Sequence, residues 1–189
     1  MKDKDNKLWL TETETKCLFS DQRIALLQTE YEAHDHKKLG PYYSLKLGSY
    51  AVIVATDGSG DYICVRQFRH GIRQITTEFP AGGIRTGEGE NISAEVALQN
   101  AKRELLEETG YVSDNWKHLF TVAANSTLAD NYAYIFLAEN CRKEAEQKLD
   151  ETEYLEISIY TPGDLETLIR AGGFQHPVHI LAWFLAKEY

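Results

Sequence analysis

Cysteine is scarce in this chain. Cys17, Cys64 and Cys141 are the three in 189 residues, odd in number and far apart. No CxxC pair and no Cys/His ligand spacing occurs, which argues against a zinc site and against a disulfide framework. A reducing cytoplasm fits that usage best. Positive charge is short as well: 20 Lys and Arg stand against 29 Asp and Glu, for a net charge of −9. That balance argues against non-specific nucleic-acid binding through a basic surface. A phosphate-bearing ligand would have to be met by metal ions or by a local arginine cluster. Long hydrophobic runs are missing too. The longest near the C-terminus, Ile180 to Ala186, is too short to cross a bilayer, so no membrane partner is expected. The first residues, Met1-Lys2-Asp3-Lys4-Asp5, are polar and hold no signal-peptide core. What is present is ordinary for a soluble globular protein, with 43% hydrophobic and 26% charged residues. The length fits one domain with a small appendage.

Strand patterns dominate the first part of the chain, to about Gly48. Thr15–Phe19, Ile24–Tyr31 and Tyr42–Leu47 read as strands, with a polar turn from His34 to Gly40. Ala51–Thr56 and Tyr62–Phe68 flank Asp57-Gly58-Ser59-Gly60-Asp61, a hairpin signal, and Cys64 reads as a buried strand residue. Ile75–Glu78 is a short strand entering Pro80-Ala81-Gly82-Gly83. A helix is predicted from about Ser93 to Thr109, with Val96, Ala97, Ala101 and Leu105 as its apolar stripe and Gly110 as its stop. Trp116–Val122, Tyr132–Leu137 and Tyr154–Tyr160 read as strands. Thr161-Pro162-Gly163-Asp164 opens a helix with a capping box that Gly172-Gly173 ends, and Pro177 starts a last helix. Strands interspersed with a few helices suggest an α+β layered fold.

The chemistry concentrates in Arg103-Glu104-Leu105-Leu106-Glu107-Glu108-Thr109-Gly110-Tyr111. Carboxylates at i, i+3 and i+4 share one helix face, within reach of a common cation. Like charges at that spacing cost a helix about 0.3 kcal/mol per pair, and these lie near the negative end of the helix dipole. Helix propensity gives no reason to cluster acids there. A divalent metal does.

This run resembles the Nudix box: Gly89, five residues, Glu95, seven residues, then Arg103-Glu104 through Gly110. The fixed positions match except the last, where Tyr111 replaces an aliphatic residue. Glu78-Phe79-Pro80-Ala81-Gly82-Gly83, Val65-Arg66-Gln67-Phe68-Arg69 and the acidic loop Leu149-Asp150-Glu151-Thr152-Glu153 resemble segments of ADP-ribose and related nucleotide-sugar diphosphatases. The resemblance implies an α/β/α sandwich around a mixed sheet over residues 49–189, preceded by a small antiparallel β subdomain over residues 1–48 that dimerises. It implies Mg²⁺, with Mn²⁺ as a substitute, held by Glu104, Glu107, Glu108 and the carbonyl of Ala81. Arg103 would orient a box glutamate, and Glu151 and Glu153 would divide the roles of base and further metal ligand. Arg69, Glu78 and Gly82 would meet the substrate, although Arg69 and Glu78 also read as structural ion-pair partners. The substrate would be a small nucleotide, ADP-ribose first.

Two departures mark this chain. About seven residues more than usual separate Gly82 from Arg103, so Gly89 and Glu95 compete with a register built on Thr86-Gly87-Glu88. Asn125-Ser126-Thr127-Leu128-Ala129-Asp130 replaces a Ser-Pro-Gly-type loop, which weakens the assignment to ADP-ribose. GDP-mannose, NADH, FAD or a dinucleoside polyphosphate are alternatives. A non-catalytic nucleotide sensor ranks low because the box carboxylates are all kept. An isomerase would need a reactive cysteine, and nothing around Cys64 or Cys141 suggests one. Trp116, Tyr42 and Tyr43 read as core or interface residues, and His176 and His179 as structural.

Overall fold

The Asp57–Asp61 segment folds as its composition requires. The Asp57 carboxylate accepts from the backbone N–H groups of Ser59 and Asp61 at 2.8 and 3.0 Å, and Gly60 takes φ +84°. Strand β4 (Tyr50–Asp57) thereby turns into its antiparallel partner β5 (Tyr62–Arg69). The computed structural model describes residues 6–85 and 92–189. Thr86, Gly87, Glu88 and Gly89, on which the two competing registers depend, lie outside the described residues.

The chain divides into two units: residues up to Gly48 with Ala123–Tyr132, and Ser49–Val122 with Ala133–Tyr189. The first holds a three-stranded antiparallel sheet of β1 (Thr11–Ser20), β2 (Ala25–Glu32) and β3 (Lys38–Lys46), in that order. β3 starts inside the stretch that reads as a turn, because the reversal needs only Ala33 to Lys37, closed by the Ala33 N–H donating to the Lys37 carbonyl. The Asn125–Asp130 segment belongs here: Leu45 N–H donates to the Leu128 carbonyl and Asp130 N–H to the Leu45 carbonyl.

The second unit is built on an eight-stranded mixed sheet. Besides β4 and β5 it contains β6 (Gln74–Glu78), β7 (Ala81–Gly83), β8 (Tyr111–Val112), β9 (Asn115–Ala123), β10 (Tyr132–Lys143) and β11 (Leu155–Tyr160). Its spine runs β11-β5-β4-β10-β8, with β10 parallel to β4 and antiparallel pairing elsewhere. Alternation along β4 sorts the core into two layers. Val52 and Val54 join Phe79, which follows β6, and Leu165, Val178, Ala182 and Trp183, from α2 (Pro162–Arg170) and α3 (Pro177–Ala186). Ala51, Ile53 and Ala55 join Ala97, Ala101 and Leu105, from α1 (Ala94–Thr109). The fold is therefore α+β, a mixed sheet between one helix and two. Cys64 is buried in β5, and Trp116 packs on Phe136.

Caps set the helix ends that matter. Ser93 Oγ accepts from the Val96 N–H at the start of α1, and Gly110, at φ +74°, ends it with its N–H on the Leu106 carbonyl. Thr161 and Asp164 form the expected box at α2. Between β6 and β7 the chain leaves the sheet at Phe79-Pro80, and the Pro80 carbonyl accepts from the Ile53 N–H at 2.9 Å. This places β7 beside β4 and turns Ala81 toward α1.

Candidate functional site

α1 presses its apolar stripe on the sheet, and the acidic residues extend that stripe instead of pointing into solvent. Ala97, Ala101 and Leu105 are fully buried, and Glu104 and Glu108 follow them at 8% and 4% exposure. β7 makes room for this. A Cβ on Gly82 would overlap the Glu104 carboxylate, so a larger residue there would displace that carboxylate from its position. The Glu108 carboxylate accepts from the Ala81 N–H at 3.0 Å. Arg103 bonds Glu104 at 2.5 Å and Glu107 at 2.6 Å, and also reaches Asn100 at 3.3 Å and the Gly83 carbonyl at 3.4 Å. Asn100, which the sequence pattern did not single out, ties the helix to the chain after β7 by accepting from the Arg85 N–H. Glu95 is on the exposed first turn, bonded to Gln99.

Burial of these acids is electrically costly. Burial pushes the Glu108 carboxyl up to about 8; the Ala81 N–H opposes this, while Glu104 and Glu153 add to it. Burial also raises Glu104, against the pull of Arg103 and with the push of Glu107 and Glu153. Glu153 thus faces the same space as the two buried acids. It lines a hollow of about 310 Å³ with Arg69, Ala81 and Glu108, and another of about 270 Å³ with Gly82, Arg103, Glu104 and Glu107. Glu151 lines neither, being in the exposed turn before it. The loop is pinned to α1 by backbone bonds: Lys148 N–H to the Glu107 carbonyl, and the Gln147 side-chain amide to the Glu108 carbonyl.

Arg69 and Glu78 are brought together. Arg69 Nε and Nη2 donate to the two oxygens of Glu78 at 2.8 and 2.5 Å, and Thr76 donates to Glu78 at 2.6 Å. Burial works against the Glu78 charge, but Arg69, His179 and Thr76 outweigh it and hold the carboxyl down to about 2. Glu78 is 1% exposed with both oxygens engaged by Arg69, whereas Arg69 remains 40% exposed in the wall of the hollow that Glu108 lines. His176 caps α3, and His179 is buried beneath Glu78 and Phe79 and accepts from the Phe79 N–H. Burial raises the Cys141 thiol to about 11 and Cys64 further still, which leaves neither reactive at neutral pH.

The donor set fits a hard divalent cation: buried, mutually repelling carboxylate oxygens beside a backbone that glycine brings close. Among the described residues no three His, Cys, Asp or Glu side chains are gathered at ligating distance. Glu104 and Glu107 are instead each paired with the Arg103 guanidinium.

Comparison with known proteins places the chain in a family. A NUDIX domain model matches residues 46–184. An ADP-ribose pyrophosphatase of Bacillus subtilis is 33% identical over 155 residues, 82% of this chain and 80% of the relative. A methanol dehydrogenase activator of Bacillus methanolicus is 31% identical over 111 residues, 58% of this chain and 56% of the relative. A solved structure described as an ADP compounds hydrolase superposes with a TM-score of 0.77 at 17% identity, covering 95% of this chain and 92% of that one, a likeness of fold.

Proposed function

The chain belongs to the Nudix family and is a Nudix hydrolase, a class that uses divalent metal ions on small nucleotide substrates, and from that premise we propose that it hydrolyses the diphosphate of a nucleoside diphosphate sugar, ADP-ribose first, to AMP and ribose 5-phosphate. The observation that carries this reading is the convergence of Glu104, Glu108 and Glu153 on the space beside Ala81, with Arg69 in the same wall. Arg69 offers a fixed guanidinium to a phosphate oxygen, pre-oriented by its two bonds to Glu78. Mg²⁺, or Mn²⁺ in its place, would be held by Glu104, Glu107, Glu108 and the Ala81 carbonyl. When bound, it supplies neutralisation of phosphate oxygens and acidification of water. Glu153 is the candidate for taking the water's proton, as the loop carboxylate that lines both hollows. Water adds to one phosphorus, the bond from that phosphorus to the bridging oxygen breaks, and the departing phosphate keeps the bridge. Arg103 orients Glu104 and Glu107.

The compartment is the cytoplasm, in keeping with three cysteines that stay as thiols, and the assembly is a homodimer through the unit that holds β1. Turnover of a panel (ADP-ribose, GDP-mannose, NADH, FAD, a dinucleoside polyphosphate) with Mg²⁺ and with EDTA in ¹⁸O water tests the reading. AMP plus ribose 5-phosphate, released only with metal, supports it, and the label marks the attacked phosphorus. Faster turnover of another member moves the substrate. Tight binding of one member without turnover of any returns the sensor reading.

A further inference from the structure

Phe79 and Pro80 lie between two strands and outside both ladders. The N–H groups on either side of the proline are each taken by a side chain from a different helix. Glu108 of α1 accepts from Ala81 at 3.0 Å, and Nδ1 of His179, on α3, accepts from Phe79 at 3.1 Å. Phe79 is fully buried, so without that bond its N–H would have no water to turn to. An imidazole that accepts at Nδ1 is neutral and carries its proton on Nε2. Nε2 lies 3.7 Å from the Glu78 carboxylate, whose oxygens are held by Arg69 and Thr76. The ring is parallel to that of Phe79, within 4°, and 1% exposed. Burial first, and the neighbouring His176 next, favour the neutral form. His179 lines neither of the carboxylate-bearing hollows. An apolar residue would fill its place in the core, so a buried polar group there calls for a reason.

We propose that His179 is a positioning residue of the hydrolase site, fixing the Phe79 backbone and, through it, Ala81, while packing beside the Glu78 carboxylate that orients the Arg69 guanidinium. One ring touches both arms of the site: its hydrogen bond sets the bend that delivers Ala81 to α1, and its other nitrogen packs 3.7 Å from the acid that aims Arg69. The inference rests on the proposed function only for the identity of what Ala81 and Arg69 hold.

His179→Gln and His179→Leu in the full chain test it, with Leu165→Ala, in the core of α2, as a variant that loses stability away from the site. Each is measured for unfolding temperature, for Mn²⁺ affinity by EPR, and for kcat and KM on ADP-ribose. His179→Leu is expected to weaken Mn²⁺ by about tenfold or more and to raise KM. His179→Gln, which keeps an acceptor and a donor, should stay within about threefold of the parent. Leu165→Ala should lower the unfolding temperature and leave Mn²⁺ affinity unchanged. Parental Mn²⁺ affinity and KM in folded His179→Leu, or equal impairment of both His179 variants, overturns the proposal. Should His179→Leu not fold, ¹⁵N NMR of the parent decides: an unprotonated Nδ1 coupled to the Phe79 amide supports it, and a protonated Nδ1 overturns it. If the parent binds Mn²⁺ but turns over no ADP-ribose, the substrate assignment fails, and His179 is judged on Mn²⁺ affinity and the Nδ1 signal alone.

Discussion

Glu151 and Glu153 are two residues apart and chemically alike, yet their surroundings separate them. Glu153 raises the carboxyls of Glu104 and Glu108 and lines both hollows, while Glu151 does neither. Glu153→Gln should therefore lower kcat by about 100-fold and Glu151→Gln by less than about fivefold. Glu108→Gln should lose about 100-fold or more in turnover while remaining folded, because it replaces an ionisable carboxylate ligand by a neutral amide. Steady-state kinetics on the three variants checks this, and equal loss at 151 and 153 would return both to the same rank. A pH dependence follows from the groups behind the site. Burial holds His179 down to about 3 from an ordinary 6.5, and lowers His176 too. A depressed base in the folded state gives stability that is complete above pH 6.5 and is lost as pH falls from there toward 3. Glu78, held at about 2 against an ordinary 4.5, has a depressed acid's stability, complete above 4.5 and lost as pH falls toward 2. Glu108, raised to about 8 from an ordinary 4.5, acts the other way: its share is complete below 4.5 and lost as pH rises toward 8. It offsets His179 between pH 6.5 and 4.5, so the unfolding temperature of the metal-free protein should fall steeply only below 4.5, where His179 and Glu78 act together. His179→Gln should make that fall shallower between pH 4.5 and 3, and a fall unchanged by the substitution would place its origin elsewhere.

At the scale of elements, the C-terminal end of α1 joins the box to the acidic loop. Gly110 terminates the helix in a left-handed conformation, its carbonyl accepts from the N–H groups of Glu144 and Ala145, and a Cβ there would overlap the Ala145 carbonyl. Gly110→Ala should cost about 2 kcal/mol through the left-handed φ alone, which at this chain length lowers the unfolding temperature by about 4 °C or more. It should also lower kcat, since residues 144–148 carry the loop that ends at Glu153. Calorimetry and kinetics on one preparation test both, and an unchanged kcat would uncouple loop from helix. Gly110 was legible in the sequence as a helix stop because glycine after an apolar stripe has one cheap use there. The Asp57 turn and the Thr161 box were legible for the same local reason: each is decided within five residues. What depended on distant partners was not. β10 continues to Lys143 through polar residues because β8 pairs with its end, at Arg142 and Lys143. The three box carboxylates were visible by spacing, but the sharing of Arg103 by Glu104 and Glu107, and the close passage of Gly82 beside Glu104, need the folded sheet. His179 lies 100 residues from the N–H it accepts, and no sequence pattern joins them.

For the whole molecule, the open question in this geometry is what covers β1. It is the edge of its three-stranded sheet, and all ten of its residues are exposed. Its first half is guarded by Glu12, Glu14 and Lys16, with Lys16 paired to Glu14 at 3.2 Å, the kind of charge that keeps an edge from pairing promiscuously. Its second half has no such guard. A register shift between Cys17 and Phe19 kinks the strand, and Leu18 and Phe19 stand 49% and 54% exposed. An edge that is charged at one end and apolar at the other admits few partners, and a second copy of this chain is the one that the Nudix resemblance implies. Light scattering at micromolar concentration should therefore return about twice the chain mass of 21.5 kDa. Phe19→Glu should shift that mass toward the single chain, because an unpaired carboxylate would then be carried into an apolar contact, while the fold of the sheet in residues 49–189 and its Mn²⁺ affinity stay as they are. A parent protein that runs as a single chain, or a Phe19→Glu variant whose mass does not change, would leave β1 as an ordinary solvated edge.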